Sequence, residues 1–325
     1  MTKKYFLINV VLLISRVLCA VSEGHVVSIS NAKNVSSREH IREHILEEQF
    51  DEYKTRYRLV QSNTGSYNWL FVPGGAGADS SYFLPMLEVL KLPGKVWLID
   101  FPDNGSNAQN TNNLESTEIN RVFETWSDCL LSCVKKFENP VYVGHSFGGM
   151  FPLLFPELEN LLKGLILIGA SPVIDNNESE KMAKERNIVI TSDAGQNFRK
   201  NPCDTTFKEA LIARSPCHFP PVSLQAGQEL FRTLPFNFKA MLWWVKKATD
   251  ENYKASWVPA KVTVLILGGS EDCINPIVLF ERDARFKRDN IELKIIQGSG
   301  HFPWLENREF IKKSFEQYIL ENLRA

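Results

Sequence analysis

Two periodicities alternate along most of this chain. Short apolar runs rich in β-branched and aromatic residues recur at NWLFVPGG (68–75), KVWLID (95–100), residues 140–144, GLILI (164–168), VTVLILGG (262–269) and IELKII (291–296). Runs of this kind predict strands, and NWLFVPGG, stopped by Pro73 and Gly74, reads as a buried parallel one. YKTRYRLVQ (53–61) instead alternates, which predicts a half-buried strand. Between the runs the period becomes helical. Ile119, Val122, Phe123, Trp126, Leu130, Cys133, Val134 and Phe137 share one helical face, and Phe310, Ile311, Phe315, Ile319 and Leu323 mark a last helix from about residue 307. Ser36 and Glu39 have capping-box spacing ahead of Ile41, Ile45, Leu46 and Phe50, which predicts a helix over 36–52. Strands alternating with helices predict an α/β fold, a mostly parallel central sheet covered by helices on both faces.

The alternation lapses over residues 172–258, which are rich in Pro and aromatics, and helical patterning returns there only at 230–248. An insertion of that length between two strands predicts a largely helical lid. Its aromatics (Phe198, Phe207, Phe219, Phe231, Phe236, Phe238, Trp243, Trp244 and Trp257) favour the lid's own core over a substrate wall. The expected organisation is an N-terminal segment at 1–22, a core built from 23–171 and 259–325, and the lid at 172–258.

Lys3 and Lys4 precede an apolar run from Tyr5 to Ile14, and Ala20-Val21-Ser22 offers a small-x-small cleavage site. That pattern predicts an export signal and a secreted or periplasmic protein. The competing reading is a buried or interfacial N-terminal segment on a cytoplasmic protein. Later segments are too short or too polar to span a bilayer. Lys and Arg number 37 against 38 Asp and Glu, with no basic patch, so nucleic acid is not an expected partner. Removing a signal would leave five cysteines, an odd number that argues against a fully paired disulfide framework. Cys129 and Cys133 share a helical stripe and read as core residues, while Cys203 and Cys217 could pair across a loop or stay free.

The chemistry concentrates at Gly144-His145-Ser146-Phe147-Gly148, where a strand passes through a sharp turn into a helix start. Glycines two places either side of Ser146 leave room for a strained turn that presents its Oγ. A serine hydroxyl needs a base to take its proton and a third group to orient that base. His301, in GSGHFPWLEN after the last strand, is the candidate base, and Asp272, in LGGSEDCINP after strand 262–269, is the candidate orienting acid. Glu271 adjoins Asp272, and Asp175 follows the preceding strand, so both compete for the acid's place. His145 reads as packing beneath the turn.

Ser, Asp and His in that order, each just beyond a strand, resemble the α/β-hydrolase fold superfamily. FVPGGAG (71–77) resembles its oxyanion loop, DFPDNGS (100–106) its Asp-x-Pro-Gly-x-Gly-x-Ser turn, and GHFPWLENREF its histidine loop. The resemblance covers roughly residues 53–323. It implies an oxyanion held by the backbone N–H groups of Phe147 and Gly75, with Ala76 the fallback. The chain departs from the pattern at Pro73-Gly74, where many lidded members carry His-Gly with a bracing histidine. Asp103 and Asn104 replace the usual Gly and His, and Pro152 and Pro156 are expected to kink the helix after Ser146.

The expected activity is hydrolysis, through an acyl-enzyme, of an ester, thioester, amide or activated C–C bond in a small to medium, partly apolar substrate or short peptide. No metal or organic cofactor is called for, and oligomeric state is not legible. Two rivals stand. One is an aminopeptidase of the proline-iminopeptidase type, which would need a lid carboxylate from among Glu178, Glu180, Glu185, Asp204, Glu209 and Glu229. The other is a ligand-binding protein that keeps the triad without turnover. His40-Ile41-Arg42-Glu43-His44 matches a zinc-peptidase string, but no third ligand is identifiable and the segment reads as a solvated helix face.

Overall fold

The computed structural model describes residues 44–107, 122–189 and 193–323. The N-terminal segment, the capping pair Ser36 and Glu39, and the H-x-x-E-H string up to its last histidine lie outside them. So does Ile119.

Among the described residues the sheet has eight strands: β1 (Glu47–Phe50), β2 (Arg56–Ser62), β3 (Asn68–Val72), β4 (Lys95–Asp100), β5 (Pro140–His145), β6 (Gly164–Ile168), β7 (Val264–Gly269) and β8 (Ile291–Ile296). Their order across the sheet is β1-β2-β4-β3-β5-β6-β7-β8. From β4 to β8 all neighbours run parallel, while β1 and β2 are antiparallel additions at one edge. Strands β5, β6 and β7 are buried at every position, as apolar runs between two helical layers must be. The helix Trp126–Lys136 covers one face with Trp126, Leu130, Cys133 and Val134, and the helix Arg308–Asn322 covers the other with Ile311, Phe315 and Tyr318. Asn307 caps the latter, its Oδ1 accepting the Phe310 N–H at 3.1 Å.

Three local expectations need correction. The described end of the segment expected as a helix over 36–52 is strand β1, paired with β2 from Glu47↔Leu59 to Phe50↔Arg56. Leu46 and Phe50 are 62% and 50% exposed, so this end presents no core stripe, and backbone pairing with β2 decides its conformation. The segment after Ser146 is not a kinked helix. It is one helical turn, Phe147–Met150, followed by 3₁₀ turns at Phe151–Leu154 and Pro156–Asn160, each with a proline in its opening positions. The helical patterning at 230–248 resolves into parts of two helices, Leu224–Thr233 and Phe238–Asp250. They part at Pro235, and the Asn237 side chain caps the second by accepting from Lys239 N–H.

Between β6 and β7, the described residues form six helices, from Asn176–Glu185 to Phe238–Asp250. They pack through Phe198, Phe207, Phe231 and Trp244, so their aromatics are largely buried. Among the described residues no helix is long and apolar enough to cross a membrane.

Candidate active site

The centre of the site is the turn between β5 and the helix Phe147–Met150. Ser146 sits there with φ 53° and ψ −120°, a conformation that costs a non-glycine residue about 1–3 kcal/mol. The turn is held on every side. Ser146 N–H donates to the Ile168 carbonyl at 2.9 Å, the Ser146 carbonyl accepts from Gly149 and Met150, and Tyr142 Oη donates to the Gly148 carbonyl at 2.7 Å. The flanking glycines are steric requirements. A Cβ on Gly144 would stand 2.1 Å from the Gly148 carbonyl oxygen, and one on Gly148 would stand 2.3 Å from that of Val72.

Parallel order β5-β6-β7-β8 brings the carboxyl ends of three site-bearing strands to one edge. Ser146 follows β5, Asp272 follows β7 and His301 follows β8. His301 Nδ1 donates to Asp272 Oδ2 at 2.8 Å, with the carboxylate fully buried and the imidazole 3% exposed. The other carboxylate oxygen, Oδ1, accepts from Ile274 N–H at 2.8 Å and Asn275 N–H at 3.0 Å. His301 is anchored through its backbone too. Its N–H donates to the His218 carbonyl at 2.7 Å, and His145 Nε2 donates to its carbonyl at 2.8 Å. Ser146 and His301 line the same cavity of about 80 Å³, together with Gly75, His218 and Phe236. Asp175 is elsewhere: its Oδ1 caps the helix Asn176–Glu185 by accepting from Asn177 and Glu178 N–H groups.

Gly75 has φ 62°, lines the cavity beside Ser146, and its N–H donates to no group among the described residues. The loop that carries it is fixed by a buried charge cluster. Asp79 accepts from Arg58 Nη2 at 2.8 Å and Arg56 Nη2 at 3.0 Å, and Asp100 accepts from Arg58 Nη2 at 2.7 Å. Burial pushes the Asp79 carboxyl up, but the Arg58 and Arg56 charges outweigh it and hold it well below the usual carboxylate range. The DFPDNGS turn closes the cluster, with Ser106 N–H on Asp79 Oδ2 at 3.1 Å. Asp103 and Asn104 are buried in that turn, and Asp103 adopts φ 60°.

A larger cavity of about 240 Å³ opens beside Ser146 beneath the inserted helices. Its apolar walls include Phe147, Phe198, Phe207, Met241 and Trp244, and its polar lining includes Glu180, Arg214 and His218. Some insertion aromatics therefore do reach a cavity wall. Burial, then the neighbouring His301, holds the His218 imidazole well below its ordinary value, so it is neutral.

Sequence reasoning missed His218, Asn275 and Tyr82, whose hydroxyl lies 2.8 Å from His145 Nδ1 beneath the turn. Asn275 left no signal of its own, since its contact with Asp272 uses the backbone N–H that any residue but proline would offer. His218 left none, because its contact with His301 is long-range. Cys129 and Cys133 are buried core thiols, and all five described cysteines are free. Cys217 neighbours Cys273, whose N–H donates to its carbonyl at 3.2 Å, rather than Cys203.

Comparison with known proteins bears on the fold. A family model described as "Alpha/beta hydrolase family" matches residues 69–313. The protein named "Putative esterase/lipase 2" of Mycoplasma genitalium is 24% identical over 254 residues, 77% of this chain and 86% of its own length. The pimeloyl-[acyl-carrier protein] methyl ester esterase of Xylella fastidiosa is 21% identical over 248 residues, 75% of this chain and 92% of its own. Among solved structures, a proline iminopeptidase-related protein from Thermus thermophilus superposes with TM-score 0.61 at 15% identity, covering 85% of this chain and 98% of that one.

Proposed function

The chain belongs to the α/β-hydrolase family, and from that premise we propose that it is a serine hydrolase acting through an acyl-enzyme. The observation that carries this reading is the buried Asp272–His301 pair, 2.8 Å apart, whose histidine lines one cavity together with a serine on a positive-φ turn. In this mechanism Ser146 Oγ attacks the substrate carbonyl while His301 Nε2 takes its proton. Asp272 keeps the Nδ1–H tautomer and favours the imidazolium that forms. The N–H groups of Gly75 and Phe147 receive the oxyanion. His301 returns the proton to the leaving group, and water then clears the acyl group by the reverse sequence. The inserted helices act as the lid, and the apolar walls of the larger cavity favour a partly apolar substrate.

A fluorophosphonate probe tests the reading. Wild type is expected to label at Ser146, and Ser146→Ala is expected not to label; folded wild type that stays unlabelled refutes it. A panel of p-nitrophenyl esters then sorts chain length. Glu180, one of the six candidate carboxylates named above, lines the cavity that holds Ser146, which keeps the aminopeptidase reading alive. Aminoacyl-naphthylamides cleaved by wild type, and poorly by Glu180→Gln, would favour it over the esterase.

A further inference from the structure

Beneath Ser146 a second set of buried groups joins the two loops on which the proposed chemistry depends. Gly74 N–H donates to Tyr82 Oη. Tyr82 Oη lies 2.8 Å from His145 Nδ1, and His145 Nε2 lies 2.8 Å from the His301 carbonyl oxygen. The proton positions follow from what each partner can do. A carbonyl only accepts, so Nε2 carries the hydrogen. The ring is neutral in its buried site, so Nδ1 is a lone pair and Tyr82 must donate its single hydroxyl hydrogen there. Tyr82 Oη keeps a lone pair for Gly74. Every donor and acceptor in the chain from Gly74 to His301 is matched in one arrangement only.

We propose that Tyr82 and His145 are positioning residues, a hydrogen-bond bridge that sets the Gly74-Gly75 loop against the His301 loop. The proposal rests on the roles given above to Ser146, Gly75 and His301. Its geometry is independent of them. Tyr82 is 3% exposed and His145 is 1% exposed, and neither depends on solvent or ligand for its partners. The Tyr82 ring stacks on Trp304 at 5.9 Å and meets Phe302 edge-on at 5.7 Å, so the His301 loop also holds it by packing. His145 is wedged against His301, Phe302 and Trp304 at 4.7–4.9 Å between ring centroids. On the other side, Gly74 packs so closely on the turn that a Cβ there would stand 2.5 Å from Ser146 Cβ. The amide one residue further on is the proposed oxyanion donor. A shift of the bridge therefore moves the Gly75 donor and the His301 ring relative to each other, around a serine whose own turn is fixed separately. Burial, with His301 beside it, holds His145 well below its ordinary range, which keeps the ring in the neutral form the bridge needs.

The test uses the full-length protein, a p-nitrophenyl ester and the fluorophosphonate probe. Tyr82→Phe removes one oxygen and keeps the ring. It is expected to lower kcat by about 10- to 100-fold with KM within about twofold, and to slow labelling of Ser146 in proportion, as small misplacements of reacting groups do. His145→Leu should do the same, and the double variant should lose no more than the worse single, because both cut one bridge. His145→Gln, which keeps a donor within reach of the His301 carbonyl, should recover part of kcat. Should His145→Leu not fold, the cycle is run with Tyr82→Phe and His145→Gln. Losses that multiply, a change confined to KM, or a Tyr82→Phe that labels at the wild-type rate would overturn the bridge and leave the hydrolase reading standing. Wild type that never labels would remove both.

Discussion

Replacing Asp272 by asparagine turns one carboxylate oxygen into an amino group, and the neighbouring hydrogen bonds decide which. Oδ1 accepts two backbone N–H groups, from Ile274 at 2.8 Å and Asn275 at 3.0 Å. An amino group there would face two donors in a fully buried site, at about 1–3 kcal/mol for each unmet group. The amide oxygen therefore keeps the Oδ1 place, and the NH₂ takes the Oδ2 place 2.8 Å from His301 Nδ1. His301 must then offer a lone pair at Nδ1 and carry its hydrogen on Nε2, the nitrogen that receives the Ser146 proton in the proposed mechanism. In serine hydrolases of another fold that wrong tautomer lowers kcat by about 10⁴-fold, about 5 kcal/mol in the barrier. The assay is kcat on a p-nitrophenyl ester, with circular dichroism confirming an unchanged fold. Asp175→Asn is the control, since Asp175 only caps a helix. Asp272→Asn retaining kcat within about tenfold, or Asp175→Asn causing the larger loss, would refute the assignment of the acid.

Other outcomes follow from the same contacts. Gly148→Ala places a Cβ 2.3 Å from the Val72 carbonyl oxygen and 2.6 Å from that of Pro73, and should destabilise by about 3 kcal/mol or more in urea unfolding. Ser146→Gly relieves the φ 53° strain and should raise stability by about 1 kcal/mol while abolishing labelling; a loss of stability would contradict the strain argument. Burial pushes the Glu306 carboxyl up to about 7 from 4.5, against the Ser223 hydroxyl that donates to it. The folded chain then holds a proton that the unfolded chain has released, so stability should fall as pH rises from about 4.5 through about 7. Glu306→Gln should flatten that slope in unfolding curves, and an unchanged slope would rule out Glu306 as its source.

Much of the core was legible in the chain itself. The apolar runs that became β3 to β8 are short and rich in β-branched residues, so local chemistry already favours strands there, although β8 at the sheet edge is only half-buried. The turn at Ser146 was legible for a similar reason, because only glycine fits at 144 and 148. Strand β1 was not, since a polar edge strand has no pattern of its own and takes its conformation from the partner it pairs with. The sequence favoured Asp272 as the acid without excluding Asp175, both being carboxylates after strands. Parallel register brings the ends of β7 and β8 side by side, so that Asp272 meets His301 while Asp175 turns to cap the next helix. Composition and periodicity favour a backbone conformation and a degree of burial where the local pattern is strong. Which distant groups meet at hydrogen-bond distance, His301 with the His218 carbonyl or Tyr82 with His145, depends on strand order and packing that exist only once the sheet has closed.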